Sequence, residues 1–159
     1  MHTLKKLTGI PAVQVVNVFA ALTAIMFFYA AISKLSNFEI SKMEMMNQVF
    51  PRAVAAQLVW LVPVIELSIT FLLVLKSTQL TGLYVSALLM AAFSVYISIS
   101  MSGAFGRIPC SCGGILRHMS YGTHLVFNLF FLVIAVLGII IKQRWINHNG
   151  FTSKERSTA

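Results

Sequence analysis

Cys110 and Cys112 are the only cysteines of the chain, and a single serine separates them in the stretch RIPCSCGGILRH, residues 107–118. A pair spaced this way can close a small disulfide ring, hold a soft metal ion, or act as a thiol couple. As a staple it contributes little. Chain entropy assigns a ring of about three residues roughly 1.6 kcal/mol, against about 3 kcal/mol for a loop of about 15, and joining residues i and i+2 turns the backbone sharply. A bond that stabilises little and stores strain is oxidising and readily exchanged. As a metal site, Cys110, Cys112, His118 and His124 make a nominal Cys2His2 set. One intervening residue is too few to aim both thiolates at a tetrahedral zinc, whereas a two-coordinate soft ion such as Cu(I) or Hg(II) tolerates the pair alone. The redox reading draws on the neighbours. A thiolate is the attacking species and nearby cations favour it; Arg107, Arg117 and His118 flank the pair, with no acidic residue between Glu66 and Glu155. The residue types favour the thiol couple, with the soft metal site as the alternative.

The elements that must position this pair are apolar. Of 159 residues, 58% are hydrophobic and 10% charged, with a mean hydropathy of +0.84. A soluble domain has a charged fraction nearer a quarter. The net charge of +8 arises because four glutamates and no aspartate oppose the lysines and arginines. No stretch alternates basic with aromatic residues, so the sequence excludes a nucleic-acid surface and the charge reads as membrane topology and attraction to anionic lipid.

Four runs are long enough to span about 30 Å of hydrocarbon, which takes roughly 20 helical residues: 12–34, 53–75, 80–102 and 124–142. The first exceeds the apolar length of a signal peptide and lacks a clear cleavage site, so it reads as a retained span. The expected fold is therefore all-α, an integral membrane four-helix bundle at 1–145 followed by a polar, disordered tail at 146–159. Lys5, Lys6, Lys76, Lys142, Arg144, Lys154 and Arg156 lie on the side of the termini, and Lys34, Lys42, Arg52, Arg107 and Arg117 on the other. The excess, with Trp145 as an interfacial anchor, predicts cytoplasmic termini and an outer cysteine loop. In a bacterial inner membrane that side is the oxidising periplasm.

The connection between spans two and three is short, so those helices are antiparallel neighbours. The connection at 35–52 begins with Ser36-x-x-Glu39, a capping-box spacing. Ile40, Met43, Met46 and Phe50 then follow at helical steps up to Pro51, which predicts a short interfacial helix acting as a lid on the bundle. The cysteine connection at 103–123 holds Gly103, Gly106, Gly113, Gly114 and Gly122, a loop that permits tight turns.

Within the spans, Glu66 must face the interior, paired or protonated. It serves as a proton relay or a polar contact to a bound quinone, or else as an interhelical hydrogen bond that fixes packing. Pro63, one turn earlier, is placed to kink the helix and free a carbonyl. Lys34 at the end of the first span is expected to snorkel to the outer interface. His124 and Asn128 share a helix face below the cysteine loop. An inward face would let the histidine exchange protons with the thiols; otherwise the histidine meets water and the asparagine bonds across helices. Gln14 and Asn17 share a face near the inner end as packing contacts.

Three stretches carry a resemblance to a known family: FYAAISKLSNFEISKM (28–43), PVIEL (63–67) and FGRIPCSCGG (105–114). Together they resemble the MauE-type, DoxX-like membrane proteins, small four-span bundles associated with redox and protein-maturation systems. The resemblance covers about residues 12–142. It implies a membrane partner in disulfide handling, as for maturation of a disulfide-rich enzyme subunit in methylamine use, and it marks Lys34, Glu66, Cys110 and Cys112. A looser similarity is to the four-helix DsbB and vitamin K epoxide reductase bundles, which relay electrons between two cysteine pairs and quinone. This chain has one pair, so an internal relay is impossible and a thiol–disulfide oxidoreductase role needs a thioredoxin-fold partner or a cofactor. A soft-metal binding or transport protein and a non-catalytic assembly factor are the alternatives.

Overall fold

The structure, a computed structural model, describes residues 12–104 and 121–157, with side chains at 12–104 and 122–148. The described residues form five helices: α1 (Ala12–Ser36), α2 (Phe38–Met46), α3 (Arg52–Val74), α4 (Gln79–Met101) and α5 (Tyr121–Ser157). Four of these have the length and composition to cross a membrane, the fourth over Gly122–His148. They form a bundle in which α1 and α4 each pack against both α3 and α5, and α2 lies against α3 and α1.

Each long helix turns one narrow stripe inward. Val16, Ala20, Ala24 and Phe27 of α1 meet Ile69 and Leu73 of α3, Leu83 and Met90 of α4 and Ile139 of α5. Ala31, Ala55, Ala135 and Ser86 are fully buried. Small side chains let helix backbones approach, which is how apolar helices associate where lipid is as apolar as their own surface. Large residues such as Ile25, Trp60, Phe71, Leu88 and Val126 point outward, as a lipid-facing surface requires.

The four expected spans are present, with ends shifted by a residue or two in the first three. The fourth begins earlier, at Tyr121, and runs on to Ser157. Residues 146–157, whose composition reads as a disordered tail, thus continue the helix. Extending an existing helix avoids the nucleation cost that a separate polar segment would meet.

The connection between the first two spans differs from expectation in two ways. Ser36 is the last residue of α1 rather than a cap, because the amide of Asn37 still bonds to the Ser33 carbonyl at 3.3 Å. Asn37 then occupies the cap position of α2 without a side-chain cap bond. The helix also stops at Met46, where the Asn47 amide closes on the Met43 carbonyl at 3.1 Å. Met43 is consequently 58% exposed, and Met45, Gln48 and Phe50 turn toward the bundle in its place. The segment is still a lid on the bundle, but with a different inner face.

The α3–α4 hairpin is tight. Thr78 donates its hydroxyl to the Leu72 carbonyl at 3.0 Å, and a Cβ on Gly82 would stand 3.0 Å from backbone atoms of Leu72 and Leu73. Gly138 differs, since a Cβ there would meet side-chain atoms alone, the tips of Leu83 at 3.3 Å and Phe19 Cβ at 3.8 Å. Gly82→Ala is therefore expected to lower stability by about 1–3 kcal/mol through overpacking. Gly138→Ala should be near neutral or gain up to about 1 kcal/mol of helix propensity. Thermal unfolding of the two variants in one detergent orders them, and equal midpoints would refute the close approach.

Candidate functional site

The residues that sequence singles out inside the spans converge. On α1, Phe27, Ala31 and Lys34 follow at steps of four and three, so the lysine continues the buried stripe. On α3, Val59, Pro63 and Glu66 do the same, and α3 is one continuous helix through Pro63. Packing α1 on α3 brings the two stripes together, and Lys34 Nζ donates to Glu66 Oε1 at 2.8 Å. The ammonium also reaches the Ala30 carbonyl at 3.3 Å. Lys34 therefore does not snorkel to the interface as expected. A carboxylate buried on the facing helix offers a partner that the headgroup region cannot match, since an unpaired charge at that depth is costly.

This ion pair borders a cavity of about 400 Å³ lined by α1, α3, α4, α5 and the α2 segment. His124 and Asn128, one turn apart on α5, line it with exposures of 8% and 3%. Their shared face thus points inward, one of the two arrangements that the sequence leaves open. Most of the wall is apolar, with Phe27, Phe50, Phe93 and Phe127 among its residues. The volume and the balance of an apolar wall with few polar groups are those of small-molecule sites.

Two cavity residues carry no sequence signal. Tyr96 of α4 donates its hydroxyl to Gln48 Oε1 at 2.6 Å, and Gln48 Nε2 donates to the Glu44 carbonyl at 3.1 Å. Phe50 stacks on the Tyr96 ring at 5.3 Å. These contacts tie the lid to α4. Gln48 lies beyond the end of α2, where no periodicity marks an inward side. Tyr96 reads as one of many interfacial aromatics.

Several other polar side chains bond within their own helices or to one another. Ser86, Ser94 and Thr70 donate to carbonyls one turn back on their own helices at 2.7–2.9 Å, a satisfied arrangement for hydroxyls inside helices. Away from the cavity, Lys142 Nζ bonds to Gln79 Oε1 at 2.8 Å and Gln79 Nε2 to Asn17 Oδ1 at 3.3 Å. Asn17 is thus packing glue, as expected, while Gln14 is exposed. Cys110 and Cys112, with Arg107, Arg117 and His118, lie outside the described residues. Their segment joins α4 to α5, and Ile97 and His124 on those two helices both line the cavity.

Fold and site together define a multi-span membrane protein, a four-helix bundle with a buried Lys–Glu pair beside an internal cavity. Residues 12–141 match the family described as methylamine utilisation protein MauE, and the chain belongs to that family. No curated protein and no solved structure matches it. The match takes in every cavity residue and both cysteines.

Lys34→Met should cost about 3–5 kcal/mol, because it strands the Glu66 carboxylate in the bundle. The double variant Lys34→Met/Glu66→Leu should regain most of that stability. Unfolding of both variants in bicelles measures the coupling, and additive losses would show that the pair does not interact.

Proposed function

We propose that this protein is a membrane component of thiol–disulfide chemistry, whose Cys110–Cys112 couple exchanges disulfides with a thioredoxin-fold partner. The observation that carries the reading is the Cys-x-Cys pair itself, flanked by Arg107, Arg117 and His118 in the connection between α4 and α5. In the exchange, a thiolate on one protein attacks a disulfide sulfur of the other. One S–S bond forms as another breaks, the displaced sulfur leaves as a thiolate, and the second cysteine of the couple resolves the mixed disulfide. Two electrons pass from the dithiol to the disulfide. Membership of a family described by its part in methylamine utilisation is compatible with a maturation client, which the exchange would serve.

The topology proposed for this function places both termini in the cytoplasm and the cysteine loop in the periplasm of a bacterial inner membrane. Its support grows with the Lys34–Glu66 pair. A lysine drawn into the bundle no longer counts as a free charge on the outer side, which leaves Lys42, Arg52, Arg107 and Arg117 against Lys5, Lys6, Lys76, Lys142, Arg144, Lys154 and Arg156. The positive excess then falls clearly on the side of the termini.

Intact spheroplasts treated with a membrane-impermeant maleimide should label the pair only after reduction. Cys110→Ser or Cys112→Ser should trap a covalent adduct with a thioredoxin-fold protein. Labelling that is indifferent to reductant, or purified protein that holds stoichiometric copper lost in both serine variants, would refute the exchange reading.

A further inference from the structure

Two polar atoms in the cavity have no hydrogen-bond partner among the described residues. Glu66 gives one carboxylate oxygen, Oε1, to Lys34, while Oε2 is buried without a partner. Asn128 Nδ2 is likewise buried and unpartnered. Both residues are only 3% exposed, and both line the same cavity. A buried polar atom without a partner loses its hydration and receives nothing in return. Such atoms are rare in native proteins, and each one asks for a reason. Ser86 and Ser94 of α4 satisfy their hydroxyls within their own helix, whereas Ser100 Oγ, outside the cavity lining, is buried without a partner among the described residues.

The chemistry of the two atoms specifies what would complete them. Glu66, as the carboxylate of an ion pair, can only accept, so it needs a donor. Asn128 Nδ2 can only donate, so it needs an acceptor. A hydroxyl supplies both. The formal charges of Lys34 and Glu66 cancel, so the pair offers an ionic ligand no net attraction. The rest of the wall is apolar and rich in phenylalanine, which favours a ligand that is mostly hydrocarbon or ring.

We infer that the cavity is a binding site for an uncharged lipophilic molecule bearing a hydroxyl group, which donates to Glu66 Oε2 and accepts from Asn128 Nδ2. A quinol headgroup and a diacylglycerol share this chemistry. The lid bonded through Gln48 and Tyr96 lies over the same cavity and would shield the bound hydroxyl from water. The inference rests on cavity geometry alone and does not depend on the cysteine chemistry proposed above.

Purified full-length protein in nanodiscs is titrated with decylubiquinol, with dioctanoylglycerol, and with decylubiquinone, which keeps the ring but lacks the hydroxyls. The expected result is saturable binding of at least one hydroxyl-bearing probe, and about tenfold weaker binding of that probe to Asn128→Leu, the effect of one lost buried hydrogen bond. Binding of decylubiquinol but not dioctanoylglycerol assigns the quinol source, and the reverse assigns the lipid alcohol. Because Asn128→Leu removes an orphaned donor, its unfolding midpoint without ligand should not fall. Ala92→Phe, which fills the cavity from α4 rather than from the two helices that hold the ion pair, should abolish binding and keep the fold. Cys110→Ser/Cys112→Ser should bind like the unaltered protein whether or not disulfide exchange occurs. Failure of both hydroxyl-bearing probes to bind, equal affinity of the unaltered protein and Asn128→Leu for the probe that binds, or decylubiquinone binding as tightly as that probe would each overturn the inference.

Discussion

A lysine ammonium and a glutamate carboxylate held 2.8 Å apart between α1 and α3 impose conditions on the whole bundle. Neither charge is tolerable alone at that depth, so the two helices must be adjacent, in one register, with these stripes facing. The alanines at positions 31 and 55, both fully buried, let the backbones come close enough for the side chains to meet. The pairing adds less to stability than its Coulomb attraction suggests, because both ions have lost their water. What it contributes is specificity, since a sliding or rotated α1–α3 interface would expose one charge to hydrocarbon.

The pair also divides the interior into two unlike parts. Around Ala20, Ala24, Leu73, Gly82 and Leu83, helices touch along small residues and little space is left. Lys142, Gln79 and Asn17 form a connected polar chain away from the cavity. Around Lys34 and Glu66 the same four helices separate, and aromatic side chains surround a cavity instead of filling it. Of the polar atoms buried without a partner among the described residues, Glu66 Oε2 and Asn128 Nδ2 are the two that belong to residues lining this cavity, and buried polar atoms of that kind call for a reason. The cysteine connection joins α4 to α5, and both of those helices contribute residues to the cavity lining.

The lid illustrates how a small departure from sequence expectation changes a site. A helix running to Pro51 would present Ile40, Met43, Met46 and Phe50 as one apolar face. Ending at Met46 rotates the following residues, and Gln48 enters the bundle to accept from Tyr96. One hydrogen bond and one ring stack then hold the segment to α4. Phe38 against the Trp60 ring, with centroids 4.5 Å apart, ties the same segment to α3.

The spans, the all-α class and the inward demand on Glu66 were legible in the sequence because they follow from hydrophobicity and the cost of burying charge, which act locally along the chain. Spacing also placed His124 and Asn128 on one helix face, since 3.6 residues per turn is a local rule. What the helix period cannot supply is the direction of that face, because each span is apolar nearly all round and its lipid side resembles its packed side. Tertiary packing decided that His124 and Asn128 line the same cavity as Glu66, that Lys34 turns inward, and that Gln48 and Tyr96 belong to the site. Each of these depends on which helices are neighbours, and that is settled where the Lys34–Glu66 pair and the small-residue contacts can be satisfied together.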